Sequence, residues 1–125
     1  MDVIVTGLTE LLGAFAKAEA EVDDKTQRVV GFGCNQIKKD WQRRWTGYAH
    51  IPHLPRAISY DVDSAAGVIT GEVGPDRLKM QGGLGSYIEF GTINNGPIPG
   101  GIPSHAAEEP KFERAMGDMA EKLLD

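Results

Sequence analysis

Three kinds of side chain in this sequence could do chemistry: carboxylates, a thiol and imidazoles. Glu72 and Glu89 could approach one another across neighbouring strands, and Glu108 and Glu109 follow a Gly/Pro-rich loop. Paired carboxylates are what general acid–base work requires, but no spacing here specifies a partner for either pair. Their ordinary reading is a solvated edge or a contact to a basic patch on a neighbour. Cys34 and a distant His formally supply a nucleophile and a base. Cys34 falls on an apolar stripe, however, which makes it a small buried hydrophobe. His50 and His53 stand three apart, in a segment that Pro52 excludes from regular helix, and the other soft ligands, Cys34 and His105, are far away in sequence. A zinc site needs three or four clustered ligands. The expectation is a chain without catalytic residues, metal site or cofactor.

Two further motifs resolve in the same direction. The glycines of "QGGLGS" lack the trailing Lys-Ser/Thr of a phosphate loop and do not open a helix after a strand. Trp41 and Trp45, in "KKDWQRRW", could stack on nucleobases. They also extend the apolar stripe that includes Ile37, which favours packing in a core or an interface.

The elements that must position these residues form one domain. At 125 residues the chain can bury one modest core and is too short for two. A single cysteine cannot close an intramolecular disulfide, and no stretch approaches the roughly 20 apolar residues needed to cross a bilayer. The segment "MDVIVTGLTELLGAFAKAEAE" has acids where a signal peptide needs bases, so synthesis in a reducing cytoplasm is expected.

The net charge of -5 is unevenly distributed. The first 24 residues hold six acids and one base. Between Lys25 and Arg56, seven bases (Lys25, Arg28, Lys38, Lys39, Arg43, Arg44 and Arg56) face Asp40 alone, and the remainder is acidic again. Phosphate binding wants a basic face on a protein that is not acidic elsewhere. Opposed blocks suit contacts between like subunits.

Leu8, Leu11, Leu12, Phe15, Ala18, Val22, Val29, Val30, Ile37, Trp41 and Trp45 share a stripe at helical spacing, with Glu21/Lys25, Asp24/Arg28 and Asp40/Arg44 as i,i+4 pairs elsewhere. An unbroken helix here outruns a compact domain of this size, so a bend at Gly31 and Gly33 or a projecting arm is expected. Gly47 suits the stop, and Pro52 and Pro55 forbid continuation. "AISYDVD" and "VITGEVGPD", joined by "SAAG", read as a hairpin, with Val68, Thr70 and Val73 continuing its pattern. "SYIEFGT" reads as a third strand, with Ile88 and Phe90 inward and Tyr87, Glu89 and Gly91 on the other face. Ser104 can cap a short turn, and Phe112, Ala115, Met116, Met119, Ala120, Leu123 and Leu124 define a final helix laid on the sheet, with Pro110 in its first turn. The fold class is α+β: a helical region 1–47, an antiparallel sheet of three to four strands within 56–92, a Gly/Pro loop 93–103 and a C-terminal amphipathic helix within 104–125.

From Tyr87 onward the sequence resembles the tail-completion, or head–tail joining, proteins of long-tailed bacteriophages. Their pattern is an aromatic, an apolar residue, then Glu, Phe, Gly and Thr, followed by Pro-Phe and Pro-Ala before a last helix. Glu89, Phe90, Gly91 and Thr92 match it, and Pro99 and Pro103 keep the spacing, although Gly100 and Ser104 replace the Phe and Ala. "AHIPHLPRAI" resembles the family's link, with Pro52 and Leu54 matching and His53 in place of its Thr-Gly. The order of elements agrees over nearly the whole chain; only Glu89 to Thr92 is motif-specific.

The resemblance implies a non-enzymatic structural protein of the virion neck, made in the bacterial cytoplasm. Such a protein forms a ring, typically of six copies, between the head connector or head-closure protein and the tail terminator or tail tube. DNA would pass through the lumen without sequence-specific binding, and an acidic balance suits that passage. Lys38, Lys39, Trp41, Arg43, Arg44, Trp45, Asn94, Asn95 and Ile98 are the candidate interface residues, and Glu89 becomes an anchor holding its turn or a neighbouring subunit. The alternatives are a tail terminator or head-closure protein of the same neck, a small hydrolase using Glu89 or Cys34, and a DNA-binding accessory protein acting through "KKDWQRRW".

Overall fold

A computed structural model of the protein describes the backbone of residues 2–65, 68–93 and 96–124, and side-chain surroundings for residues 20–122 within those ranges. Its spine is one helix, α1 (Asp2–Trp45), 44 residues long and about 66 Å from end to end at 1.5 Å per residue. It runs unbroken through Gly31 and Gly33. These glycines mark places where neighbours come close: a Cβ on Gly33 would stand 3.4 Å from the Phe112 ring, and one on Gly31 4.0 Å from Val62. Packing on that flank compensates the helix propensity that glycine lacks. Gly47, at φ +96, turns the chain out of the helix as expected.

A four-residue helix, α2 (Leu54–Ala57), leads into the antiparallel hairpin of β1 (Ile58–Ala65) and β2 (Val68–Pro75), in register Ile58 to Pro75 and Ala65 to Val68. Ala66 and Gly67 of the expected "SAAG" turn lie outside the described residues. The inward face of β2 is Ile69, Gly71 and Val73. The expected pattern through Val68 and Thr70 is therefore one residue out; Val68 and Thr70 are exposed. Gly71 sets the face, because a Cβ there would come within 2.4 Å of Cys34 Sγ and 2.9 Å of Val30 Cγ1 on α1.

Among the described residues the sheet has these two strands and no more. The expected third strand, "SYIEFGT", is instead a helix, α3 (Gly85–Phe90), reached through a 3-10 turn at Gly82–Leu84. Its faces differ accordingly: Glu89 is buried, Ile88 half-buried and Phe90 69% exposed, where an inward Phe90 was expected. The reason is tertiary. Gly85 seats directly on the Pro75 ring, where a Cβ would approach within 2.5 Å, and this stacks the segment on the end of β2 instead of beside it.

The last helix, α4 (Gly101–Leu124), starts nine residues before Pro110, which therefore lies inside it and not in its first turn. Pro110 leaves the Ala106 carbonyl without a donor, and Ala106 is exposed and open to water. Ser104 does not cap a separate turn; its hydroxyl donates to the Gly101 carbonyl within the first turn of α4. Nor does α4 lie on the sheet: its main partner is α1, antiparallel, with Gly101 at Trp41, Phe112 at Gly33 and Met119 at Thr26. The core sits where all these elements meet, around Trp41, Trp45, Ile51, Leu54, Ala57 and Ile58.

Candidate functional site

The most organised polar arrangement in the chain is built on Glu89. It belongs to a six-residue helix too short to hold itself together, so its position comes from its neighbours. Gly85 fixes the start of α3 on Pro75, and Gly91, at φ +80, ends it with its N–H donating to the Tyr87 carbonyl at 2.9 Å. The chain then returns, and Ile98 N–H donates to the Ile88 carbonyl at 2.8 Å. Both oxygens of the Glu89 carboxylate accept backbone donors from the start of α4: Gly101 N–H to Oε1 at 2.6 Å and Gly100 N–H to Oε2 at 2.8 Å. A helix start leaves its first N–H groups without intrahelical partners and carries partial positive charge. An anionic acceptor delivered from outside the helix answers both needs.

The two glycines are required by what lies beneath them. A Cβ on Gly101 would stand 2.6 Å from the Trp41 ring, and one on Gly100 would meet Trp41 and the Trp45 Nε1 at 2.6 and 2.7 Å. The indoles meet edge to face, centroids 5.4 Å apart, and Trp45 Nε1–H donates to the Ile98 carbonyl at 2.8 Å. Trp45 is wholly buried. Trp41 and Trp45 are thus committed to the chain's own core, where they hold the loop before α4. Trp41 Nε1 is buried with no hydrogen-bond partner among the described residues. His105 Nδ1 lies 2.7 Å from the Gly101 carbonyl, which accepts a hydrogen bond when Nδ1 carries a proton.

The other sequence candidates are dispersed. Glu72 is exposed on β2 opposite Asp61, so the expected cross-strand approach of Glu72 to Glu89 does not arise, since Glu89 is not on a strand. Glu108 is buried and Glu109 exposed. Cys34 and His105 both line an apolar cleft of about 300 Å³ between α1, β2 and α4, and burial pushes the Cys34 thiol pKa up, away from the thiolate a nucleophile needs. His50 and His53 are exposed on the link. No group of three His, Cys, Asp or Glu that could hold a metal occurs among the described residues. Of the candidate interface residues, Lys39 and Arg43 are exposed, Lys38 and Arg44 half-buried, and Ile98 is part of the clamp on Trp45. Asn94 and Asn95 lie outside the described residues. Thr92 is exposed and Pro99 and Pro103 flank the clamped glycines.

Asp40 organises the basic end of α1. Partial burial opposes its ionisation, but hydrogen bonds from Arg43 and Arg44 outweigh that and hold its carboxyl below the usual range.

Sequence reasoning missed Gly100, Gly101 and Gln81. Gln81, at φ +64, accepts from His53 N–H at 2.7 Å and donates to the His50 carbonyl at 3.3 Å, pinning the Pro-rich link from a distance. The adjacent glycines of "PGGIP" were the one visible sign of a close backbone approach.

Beside the clamp lies a second cleft of about 550 Å³, with Trp41 and Pro75 in its walls and Phe90 and Ile102 largely exposed at its edge. Comparison of the chain with protein-family models, with curated proteins and with solved structures returned no match.

Proposed function

We propose that this protein is a structural component of the neck of a long-tailed bacteriophage, a tail-completion protein that joins the head connector to the tail as a ring of identical copies. The observation that carries the reading is the use of Glu89. In the "YIEFGT" motif, which resembles the family signature, the Glu is buried and both of its oxygens accept backbone N–H groups of Gly100 and Gly101. A carboxylate occupied in this way positions the last helix and is not free to act as general acid or base, which weighs against the hydrolase alternative. The motif is then an architectural latch, as a structural protein requires.

Three other observations support assembly. The chain exposes an unusual run of large apolar side chains near α3: Leu78, Met80, Leu84, Tyr87, Phe90 and Ile93. Contiguous apolar surface marks places where another protein sits. Among the described residues no third strand pairs with the two-stranded sheet, and such edges are open to pairing. The acidic balance suits a lumen that DNA crosses without sticking, and a basic lumen in the assembled ring would sink that part of the reading.

The test is functional joining. In a phage lacking this gene, heads and tails should accumulate separately, and the purified protein added to that lysate should restore infectious particles. Unimpaired joining without the protein would contradict the proposal. Capture of tails alone or of heads alone distinguishes the terminator and head-closure alternatives.

A further inference from the structure

Residues 77–80 form a loop after β2 that displays two apolar and two basic side chains to solvent. Leu78 is 96% exposed and Met80 67%, and Arg77 and Lys79, which alternate with them, are exposed as well. The loop is nevertheless tied down by its own backbone. Leu78 N–H donates to Asp76 Oδ1 at 2.9 Å, Lys79 N–H to the Asp76 carbonyl at 3.1 Å, and Gly82 N–H to the Lys79 carbonyl at 3.0 Å. Gly82 packs so closely on this turn that a Cβ would overlap the Asp76 carbonyl oxygen. A segment fixed in this way loses little conformational freedom when a partner takes up its side chains. Two large apolar side chains held in water on such a support, with Leu84 and Tyr87 exposed further along, make a patch of the kind that another protein covers.

The cleft of about 550 Å³ between α3 and the start of α4 has the complementary character. Its walls are apolar, with Trp41, Pro75, Phe90 and Ile102 among them, and the titratable residues that line it are Glu89, His105 and Glu109, without a Lys or Arg. Three ion pairs form among the described residues, and none uses Arg77, Lys79, Glu89 or Glu109. Loop and cleft thus carry opposite charges that are not spent on each other within one chain. We propose that the 77–80 loop of one copy docks in this cleft of a second copy. Leu78 and Met80 then lie against Trp41, Phe90 and Ile102, and Arg77 and Lys79 beside Glu109. Glu109 is exposed and can accept from them directly, whereas Glu89, whose oxygens already hold Gly100 and Gly101, contributes its charge. Cationic heads are also drawn to the faces of aromatic rings such as those of Trp41 and Phe90.

Two other occupants fit less well. The chain's own loop does not fill the cleft, since Leu78 is almost fully exposed. An acidic segment of any partner would set like charge against Glu89 and Glu109. The proposed contact joins two different patches of the chain, and contacts of that kind build rings when the rotation closes. The inference rests on the proposed function only in requiring that copies associate; it specifies which surfaces meet.

Disulfide trapping between two separately purified full-length variants tests it. In a Cys34→Ser background, L78C is mixed with I102C under a glutathione redox buffer. F32C, exposed on α1, serves as the control partner. A docked loop predicts a mixed dimer at least about tenfold above the L78C and F32C mixture, because docking raises the effective thiol concentration towards millimolar. Charge exchange separates this contact from a merely adhesive surface. Adding R77E and K79E to the L78C chain should abolish the excess, and adding E109K to the I102C chain should then restore it. A mixed dimer no stronger than the control, or a yield indifferent to the exchange, overturns the proposal. If light scattering shows oligomers while L78C and I102C fail to link, the loop assignment is wrong and the ring reading survives; the joining assay judges the ring separately.

Discussion

Gly101 N–H lies 2.6 Å from Glu89 Oε1. Twelve residues separate the two, so the start of the last helix is capped by a side chain from another element and not by a local Ser, Thr, Asp or Asn. This contact and its twin at Gly100 connect the "EFGT" segment, the Gly/Pro loop, the tryptophan pair and α4 into one unit.

Removing the cap has a calculable cost. Glu89→Ala leaves two buried N–H groups unsatisfied and should destabilise the protein by about 3 kcal/mol, while Glu89→Gln, which keeps one acceptor, should cost about 1 kcal/mol. Urea denaturation followed by tryptophan fluorescence measures both. Unchanged midpoints would favour a Glu89 held in reserve for chemistry.

The glycines should be equally intolerant. Gly101→Ala and Gly100→Ala drive a methyl group into Trp41, and each should cost about 1–3 kcal/mol and shift the indole emission. Gly83→Ala, where an added Cβ meets nothing within 4 Å, is the internal control and should change little.

Cys34 should behave as a core residue. Its pKa is raised by burial, so at neutral pH the thiol should react with Ellman's reagent slowly in the folded chain and fast in urea. Gly71→Ala presses on the Cys34 sulfur and should accelerate the reaction as well as lower stability. A thiol that reacts at the rate of a free cysteine contradicts the packing.

Asp40 gives a pH signature with a definite sign. Its folded pKa lies below the unfolded value near 3.8, so its contribution to stability is present above that pH and is lost as pH falls through the folded value. Asp40→Asn should flatten the acid limb of the stability profile and leave the alkaline side unaltered. Thermal melts between pH 2 and 7 would show it.

What the sequence revealed and what it concealed divide along physical lines. The stripe from Val29 to Trp45, the stop at Gly47 and the hairpin all follow from periodicity and local turn chemistry, which are properties of neighbouring residues, whereas Val22, expected on the same stripe, is exposed. "SYIEFGT" misleads because seven residues mixing aromatic, apolar and polar side chains fit a strand as well as a short helix. Only contacts with Pro75, Ile98 and α4 decide between them. The start of α4 was hidden for the same reason: its cap comes from Glu89, and Pro110 looked like a beginning because no local capping residue marked the true one. Gly31 and Gly33 looked like points of weakness in α1, yet they are where Val62 and Phe112 approach it. The spacing of Trp41 and Trp45 allowed either a core or an interface, and they were expected at an interface; their burial beneath Gly100 and Gly101, which decides for the core, was not visible.

The claim that this chain is a neck protein is tested most directly by electron microscopy of the purified protein mixed with tail tubes from a phage lacking it. The account predicts a ring of copies seated on one end of each tube, with the "EFGT" unit of every copy intact. Tubes that stay bare at every protein concentration, in a preparation whose tubes still join to heads, would contradict it.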